Sequence, residues 1–245
     1  MSTQITALND APSAVTAPTR RTVDAFTRSL HAMMALSFAG AYITAESETF
    51  RLEHVTLGYT LGGVLLVRVV WGLWGPKYER WSALWGKLRG LGAWFRALRS
   101  GDVAWRQAQN LFMATAVAII LLSIAPLVFS GLAVDQEWTG DWMEEVHEFM
   151  GDFMLSAVLA HIAAVVVLSL LRKRNLAMPM LTGRVPGVGP DLAPSNHRFL
   201  TAVLWVAVLS FWFWQWQESP QAQVASGTSW VLPFAGKAQS EDDED

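Results

Sequence analysis

The sequence contains no cysteine among its 245 residues. This absence excludes disulfide bonds, thiolate zinc sites, a cysteine nucleophile and cysteine-ligated iron–sulfur clusters. It also excludes the C-x-x-C-H motif through which haem is attached covalently. A metal ion or metal-containing cofactor must therefore be held by histidine, methionine or carboxylate side chains, and the chain has five histidines.

Charged residues are scarce as well. They make up 16% of the chain, against about a quarter in a typical soluble domain. Hydrophobic residues make up 52%, and they form five runs that each approach the roughly 20 residues a helix needs to cross a bilayer. These runs cover about residues 25–45, 55–74, 111–134, 146–171 and 199–216. The sequence therefore predicts an all-α integral membrane protein.

The lysines and arginines lie in alternate connecting segments. If the N-terminus is inside, 16 of the 18 fall on the inner side, and most of the acidic residues fall outside. This distribution obeys the positive-inside rule. We expect a cytoplasmic N-terminus and a periplasmic C-terminus in a bacterial inner membrane.

The runs and charges together predict the domain organisation. Residues 1–24 are polar and lack a signal peptide's apolar run, so we expect a disordered cytoplasmic segment. Residues 25–186 form a four-helix transmembrane domain, residues 187–217 a loop with a fifth transmembrane helix, and residues 218–245 an acidic periplasmic tail. Within residues 78–99, aromatic and leucine side chains recur every three or four residues among basic ones. That periodicity predicts an amphipathic helix on the inner membrane surface.

Four histidines fall in or at the start of apolar runs. His147 and His161 are 14 residues apart, which places them on one face of a helix, separated by about 21 Å along its axis. Depth counted from the charged helix ends pairs His54 with His147 near the outer surface, and His31 with His161 deeper. His197 has no partner at its own depth and is interpreted as an interfacial polar residue.

Two imidazoles on facing helices are the ligands of a six-coordinate haem b within a helix bundle. Both axial positions are then filled, which favours electron transfer over oxygen binding. A zinc site would need three or four ligands close together, and each pair supplies two. The sequence therefore predicts two haem b groups, although any single intramembrane histidine is also compatible with a packing or hydrogen-bonding role.

Arg68 lies 14 residues after His54, on the same helix face and at the depth of the deeper haem. A buried cation there needs an anionic partner, and a haem propionate would serve. The alternative is an arginine that extends to the inner interface. Gly58, Gly62 and Gly63 would let a flat ring, or a neighbouring helix, approach the backbone closely.

At these residues the chain resembles the bacterial di-haem cytochrome b561 family, which includes the cytochrome b subunit of nickel–iron hydrogenases. The resemblance covers roughly residues 20–186. It rests on His54, Gly58, Arg68, Trp71-Gly72 and Gly75, on Arg28 to His31, and on His147 and His161 followed by Met180 to Arg184. The chain departs from the family at Ala32, where a tryptophan is common.

The resemblance implies a carrier of electrons between the quinone pool and a redox partner, which would be a periplasmic c-type cytochrome, a hydrogenase or a dehydrogenase. It implies the same pairing of histidines, and an electron-transfer subunit more than a stand-alone enzyme. The expected partners are membrane lipid, quinone and a redox protein on the outer face, without nucleic acid, and the sequence is compatible with an oligomer.

Two alternatives stay open at this point. A superoxide:quinone oxidoreductase is one, although an acidic outer face would repel superoxide. A non-haem transporter with a histidine proton relay is the other, for which Pro126 gives the only hint of a broken helix.

Overall fold

The computed structural model describes residues 18–218, except 78, 91, 95 and 97–104. In chain order its elements are β1 (Thr19–Arg21), α1 (Ala25–Thr44), a 3-10 turn (Glu48–Phe50), α2 (Arg51–Trp74), α3 (Trp81–Leu88), α4 (Trp105–Asp135), α5 (Trp142–Arg172), α6 (Met178–Thr182), β2 (Arg184–Pro186) and α7 (Arg198–Glu218). The chain divides into two compact units, residues 1–202 and 203–245. The described residues of the second unit all belong to α7.

Four helices in the described part of the chain are long and apolar enough to cross a membrane. They cover Glu48–Trp74, Trp105–Asp135, Trp142–Arg172 and Arg198–Gln217. The 20-residue helix α1 is not one of them, because His31, serines and threonines lower its hydropathy. An all-α membrane protein is thus confirmed, with α1 as the least apolar of the five long helices.

Consecutive long helices of the first unit pack side by side. α1 packs on α2, α2 on α4, and α4 on α5. In the described chain, α5 does not pack closely along the backbone of α1 or of α2. His147 and His161 on α5 are therefore carried by a helix that packs mainly on α4, and not on the helices that carry His31 and His54.

A central apolar layer lies between the two levels of histidines. It consists of buried side chains from all four helices, which are Phe38, Leu61, Leu65, Ile124, Leu127 and Met154. Met154 is seven residues from both His147 and His161, and Phe38 is seven residues from His31. Seven helical residues span about 10 Å, so the layer lies midway between the two levels.

The two ends of this helical unit differ in charge. One end, called the acidic end below, carries Glu46, Glu53, Asp135 and Glu144. The other, called the basic end, carries Lys77, Arg80, Arg172 and Arg184. Each helix runs from one end to the other, so the charge difference follows directly from the sequence.

The expectation of disorder through residue 24 is wrong for the described part of that segment, and residues 1–17 lie outside the described residues. Strand β1 pairs antiparallel with β2, with Arg20 opposite Val185. The backbone N–H of Arg21 also donates to the Asp191 carboxylate at 2.6 Å. The hydrogen-bond partners of this backbone lie more than 160 residues away in the sequence. Local composition does not reveal such partners, so it suggested disorder.

Two helices differ from their predicted extents. α4 begins six residues before the apolar run and continues through Pro126, so the described chain does not show the broken helix that this proline hinted at. The predicted amphipathic helix over residues 78–99 is seen as α3 over Trp81–Leu88. Residues 78, 91, 95 and 97–99 of that prediction lie outside the described residues.

Candidate haem-binding site

The imidazoles of His54 and His147 lie close together near the acidic end. Their ring centroids are 6.0 Å apart, and the ring planes are nearly perpendicular at 86°. A metal–imidazole bond is about 2 Å long. A centroid separation of 6.0 Å is of the size expected for two imidazoles that bind one metal ion. Helical spacing had predicted that these two residues lie at the same level.

Hydrogen bonds orient both rings of this pair. His54 Nδ1 donates to the carbonyl oxygen of Ala41 at 2.8 Å, and His147 Nδ1 donates to that of Leu127 at 3.1 Å. The hydroxyl of Ser130 also lies 3.1 Å from His147 Nδ1. Because a carbonyl oxygen only accepts, each Nδ1 carries the proton and each Nε2 keeps the lone pair that a metal requires.

Gly131 gives His147 the room it occupies. A Cβ atom at Gly131 would lie 2.7 Å from His147 Cε1, closer than any normal contact. Sequence reasoning missed Gly131, Ser130 and Ala41. The adjacent small residues Ser130 and Gly131 in an apolar run do indicate a close helix approach. Which side chain approaches them is decided only by how α4 packs on α5.

Open space lies beside both histidines of this pair. Gly58 and Gly151 each follow a histidine by four residues, one helical turn towards the central layer. Both glycines are half-buried, yet a Cβ atom at either would meet nothing within 4 Å. By contrast, a Cβ atom at Gly62 would lie 2.8 Å from Val128, so Gly62 serves helix packing. No protein atom fills the space next to the rings, and its position suits a flat group.

The predicted second pair, His31 and His161, lies deeper, towards the basic end. His161 Nδ1 is buried and has no hydrogen-bond partner among the described residues, and His31 is exposed. Buried polar atoms are usually satisfied by a hydrogen-bond partner. The polypeptide alone therefore leaves this pair incomplete.

Arg68 is held by the segment that follows α2. Its Nη2 donates to the carbonyl oxygen of Glu79 at 3.1 Å, and its guanidinium lies 5.1 Å from the centre of the Trp81 ring. Its Nη1 is buried without a partner among the described residues. Nη1 is thus a donor left for an anionic group, as the propionate hypothesis requires. The contacts with Glu79 and Trp81 fit the alternative, in which Arg68 is an anchor at the inner interface.

The donor set matches haem better than a protein-bound metal cluster. Within the described residues no group of three or more His, Asp or Glu side chains could hold a metal ion. His54 and His147, with hydrogen-bonded Nδ1 atoms, Nε2 atoms that can bind a metal and open space nearby, are a donor pair that suits an axially ligated haem.

His197 is not the isolated interfacial residue that the sequence suggested. Its Nδ1 lies 2.8 Å from the carboxylate of Asp24, and its ring packs edge-on against Trp71 at 4.9 Å. Asp24 is completely buried and also caps α1 through the backbone N–H of Thr27. The interaction was missed because its partners are separated by 173 residues.

The sequence matches the prokaryotic cytochrome b561 family over residues 22–183, which is about two thirds of the chain. This protein therefore belongs to that family. As such it is a membrane b-type cytochrome that binds haem b and functions in electron transfer. No curated protein and no solved structure gave a significant match.

Proposed function

We propose that this protein is a di-haem cytochrome that carries electrons across the bacterial inner membrane, between the quinone pool and a redox protein on the acidic face. Each haem would be held by one histidine pair, His54 with His147 and His31 with His161. The observation that carries the proposal is the 6.0 Å approach of the His54 and His147 rings, with both Nδ1 atoms hydrogen-bonded. A haem with two histidine ligands supplies one-electron transfer without an open coordination position.

The chain contributes position and insulation. Hydrogen bonds from Nδ1 atoms hold the two outer imidazoles in the orientation and tautomer of ligands. The central layer around Phe38, Leu61 and Met154 keeps water away from the interior of the unit. Arg68, with its unpaired Nη1, would bind a propionate of the deeper haem and favour its reduced state.

The five long helices support a topology with the N-terminus in the cytoplasm. α1, α2, α4, α5 and α7 would all span the membrane, and the basic end would then face the cytoplasm in agreement with the positive-inside rule. The acidic end would face the periplasm. Its charge favours a basic partner such as a soluble c-type cytochrome by long-range attraction, and a hydrogenase or dehydrogenase subunit is the alternative partner.

The test is haem stoichiometry in the purified protein and in four histidine variants. We expect two haem b per chain in a pyridine haemochrome assay. His54→Ala and His147→Ala should each remove one haem, and His31→Ala and His161→Ala should each remove the other, as resolved by redox titration. His197→Asn, which alters the fifth histidine, is the matched control and should keep both.

The grouping of the variants is decisive. A folded, membrane-inserted protein without haem would overturn the proposal. Loss of different haems by His54→Ala and His147→Ala would overturn the pairing.

A further inference from the structure

A cleft of about 540 Å³ opens at the basic end of the first unit, immediately after the last residue of α2. It lies between the segment 74–77 and the segment 190–197, and its lining includes Trp71, Trp74, Pro76, Lys77, Leu192 and His197. Its volume falls in the range of small-ligand sites. Trp74 is 72% exposed at the end of the membrane span, so the cleft adjoins the lipid interface.

One wall of the cleft carries the imidazole of His197, which is hydrogen-bonded to a buried carboxylate. Asp24 binds His197 Nδ1 at 2.8 Å, so Nε2 is the nitrogen left for a ligand. A buried carboxylate behind an imidazole orients the ring and supports proton exchange at its other nitrogen. The backbone of His197 is left-handed, with φ at 43°, which is unfavourable for a residue other than glycine. The fold therefore maintains a strained backbone at this residue.

A rigid aromatic ring lies next to that group. The Trp71 indole stands at 84° to the His197 ring, and its Nε1 donates to the Glu79 carboxylate at 3.0 Å and to the Thr27 hydroxyl at 3.2 Å. The Thr27 hydroxyl also donates to the Glu79 carboxylate. The pKa of the Glu79 carboxyl, which accepts the hydrogen bond from the indole Nε1, is raised by burial.

We propose that this cleft binds the headgroup of a quinone or quinol, with His197 as its hydrogen-bonding partner. The inference rests on the proposed function and assigns a place to its quinone. A quinone headgroup is a flat ring with carbonyl oxygens that become hydroxyls on reduction, and its tail stays in the lipid. His197 Nε2 can accept a hydrogen bond from a quinol hydroxyl or, when protonated, donate one to a quinone carbonyl.

The lining argues against a phospholipid headgroup as the occupant. A phosphate favours a cluster of cations. Among the described residues of the lining, Lys77 is the one lysine, and it is accompanied by the carboxylate of Asp191. A neutral ring that needs an aromatic wall and one polar contact fits these residues better than an anion does.

The experiment is a calorimetric titration of the full-length, haem-loaded protein in nanodiscs with a benzoquinone that carries a decyl tail. His197→Asn keeps a residue that tolerates positive φ and an amide that can still bond Asp24, but it lacks an atom that reaches the ligand. Ser195→Trp fills the cleft from its exposed rim. We expect each variant to weaken binding at least tenfold. Ser82→Trp, on the exposed side of α3 and outside the cleft lining, is the control and should stay within twofold.

The outcomes separate this proposal from the proposed function. The wild type could contain two haems and yet bind no quinone, or both cleft variants could bind quinone as tightly as the wild type does. Either result would overturn the cleft assignment alone. Loss of a co-purified phospholipid from Ser195→Trp without a change in quinone affinity would also overturn it. Quinone binding that responds to the variants in a chain without haem would support the cleft and overturn the proposed function.

Discussion

Replacement of Gly131 by alanine tests the placement of His147 at the proposed outer haem. The new Cβ atom would lie 2.7 Å from His147 Cε1, whereas ordinary contacts begin at 3.4 Å. The ring must therefore move by roughly 0.7 Å, a change comparable to overpacking a close-packed core. Its hydrogen bonds to Leu127 and Ser130 are already 3.1 Å long, so such a shift would break one or both.

The magnitude follows from two opposing effects. Alanine gains about 1 kcal/mol over glycine within a helix. Overpacking costs about 1–3 kcal/mol, and loss of the groups that orient a metal-binding histidine typically weakens metal binding about 10–100-fold. We expect Gly131→Ala to fold while its outer haem is bound at least tenfold more weakly. The haem content should fall from two towards one.

The assay is haem content by pyridine haemochrome, combined with redox titration to identify the haem that is lost. Gly86→Ala is the control, because a Cβ atom at this helical position in α3 meets nothing within 4 Å. Two tightly bound haems with unchanged midpoint potentials in Gly131→Ala would refute the reasoning. His147 would then not be held against Gly131 as a ligand.

Two further changes test the basic end. Arg68→Ala should keep both haems but lower the midpoint potential of the deeper one, because a nearby cation favours the reduced state; an unchanged potential would leave Arg68 as an interfacial anchor only. Glu79→Gln should flatten the pH dependence of stability. Because burial raises the pKa of Glu79, ionisation opposes folding, so stability is greatest below the ordinary glutamate pKa and is lost as the pH rises through the raised value. The melting temperature should therefore fall less with rising pH in Glu79→Gln than in the wild type, while Glu48→Gln, at an exposed site, should behave as the wild type. Equal slopes for all three proteins would contradict a buried, destabilising carboxylate.

Helical periodicity explains why the level of each histidine along its helix could be predicted. An α-helix has a nearly constant rise and rotation per residue, so the depth and face of a side chain can be counted along the chain. Bilayer thickness and charged helix ends supply the origin of that count. That His54 and His147 lie at one level follows from these quantities.

Contacts between distant segments could not be counted in this way. The pairing of β1 with β2, the bond between Asp24 and His197, and the fit of His147 against Gly131 all depend on how elements pack. Composition even suggested the wrong state for residues 18–24, because their hydrogen-bond partners come from the segment after α6.

The amino-acid sequence by itself determined the helices, their apolar lengths, the charge of each end and the level of each histidine, since these are local properties of a regular helix in a membrane. Tertiary structure alone decided which Nδ1 atoms are hydrogen-bonded, where open space remains beside Gly58 and Gly151, and that His197 shares a cleft with Trp71. These features change when the distance between two packed elements changes by a few tenths of an ångström. The elements are far apart in the chain, so only the packed molecule sets such distances.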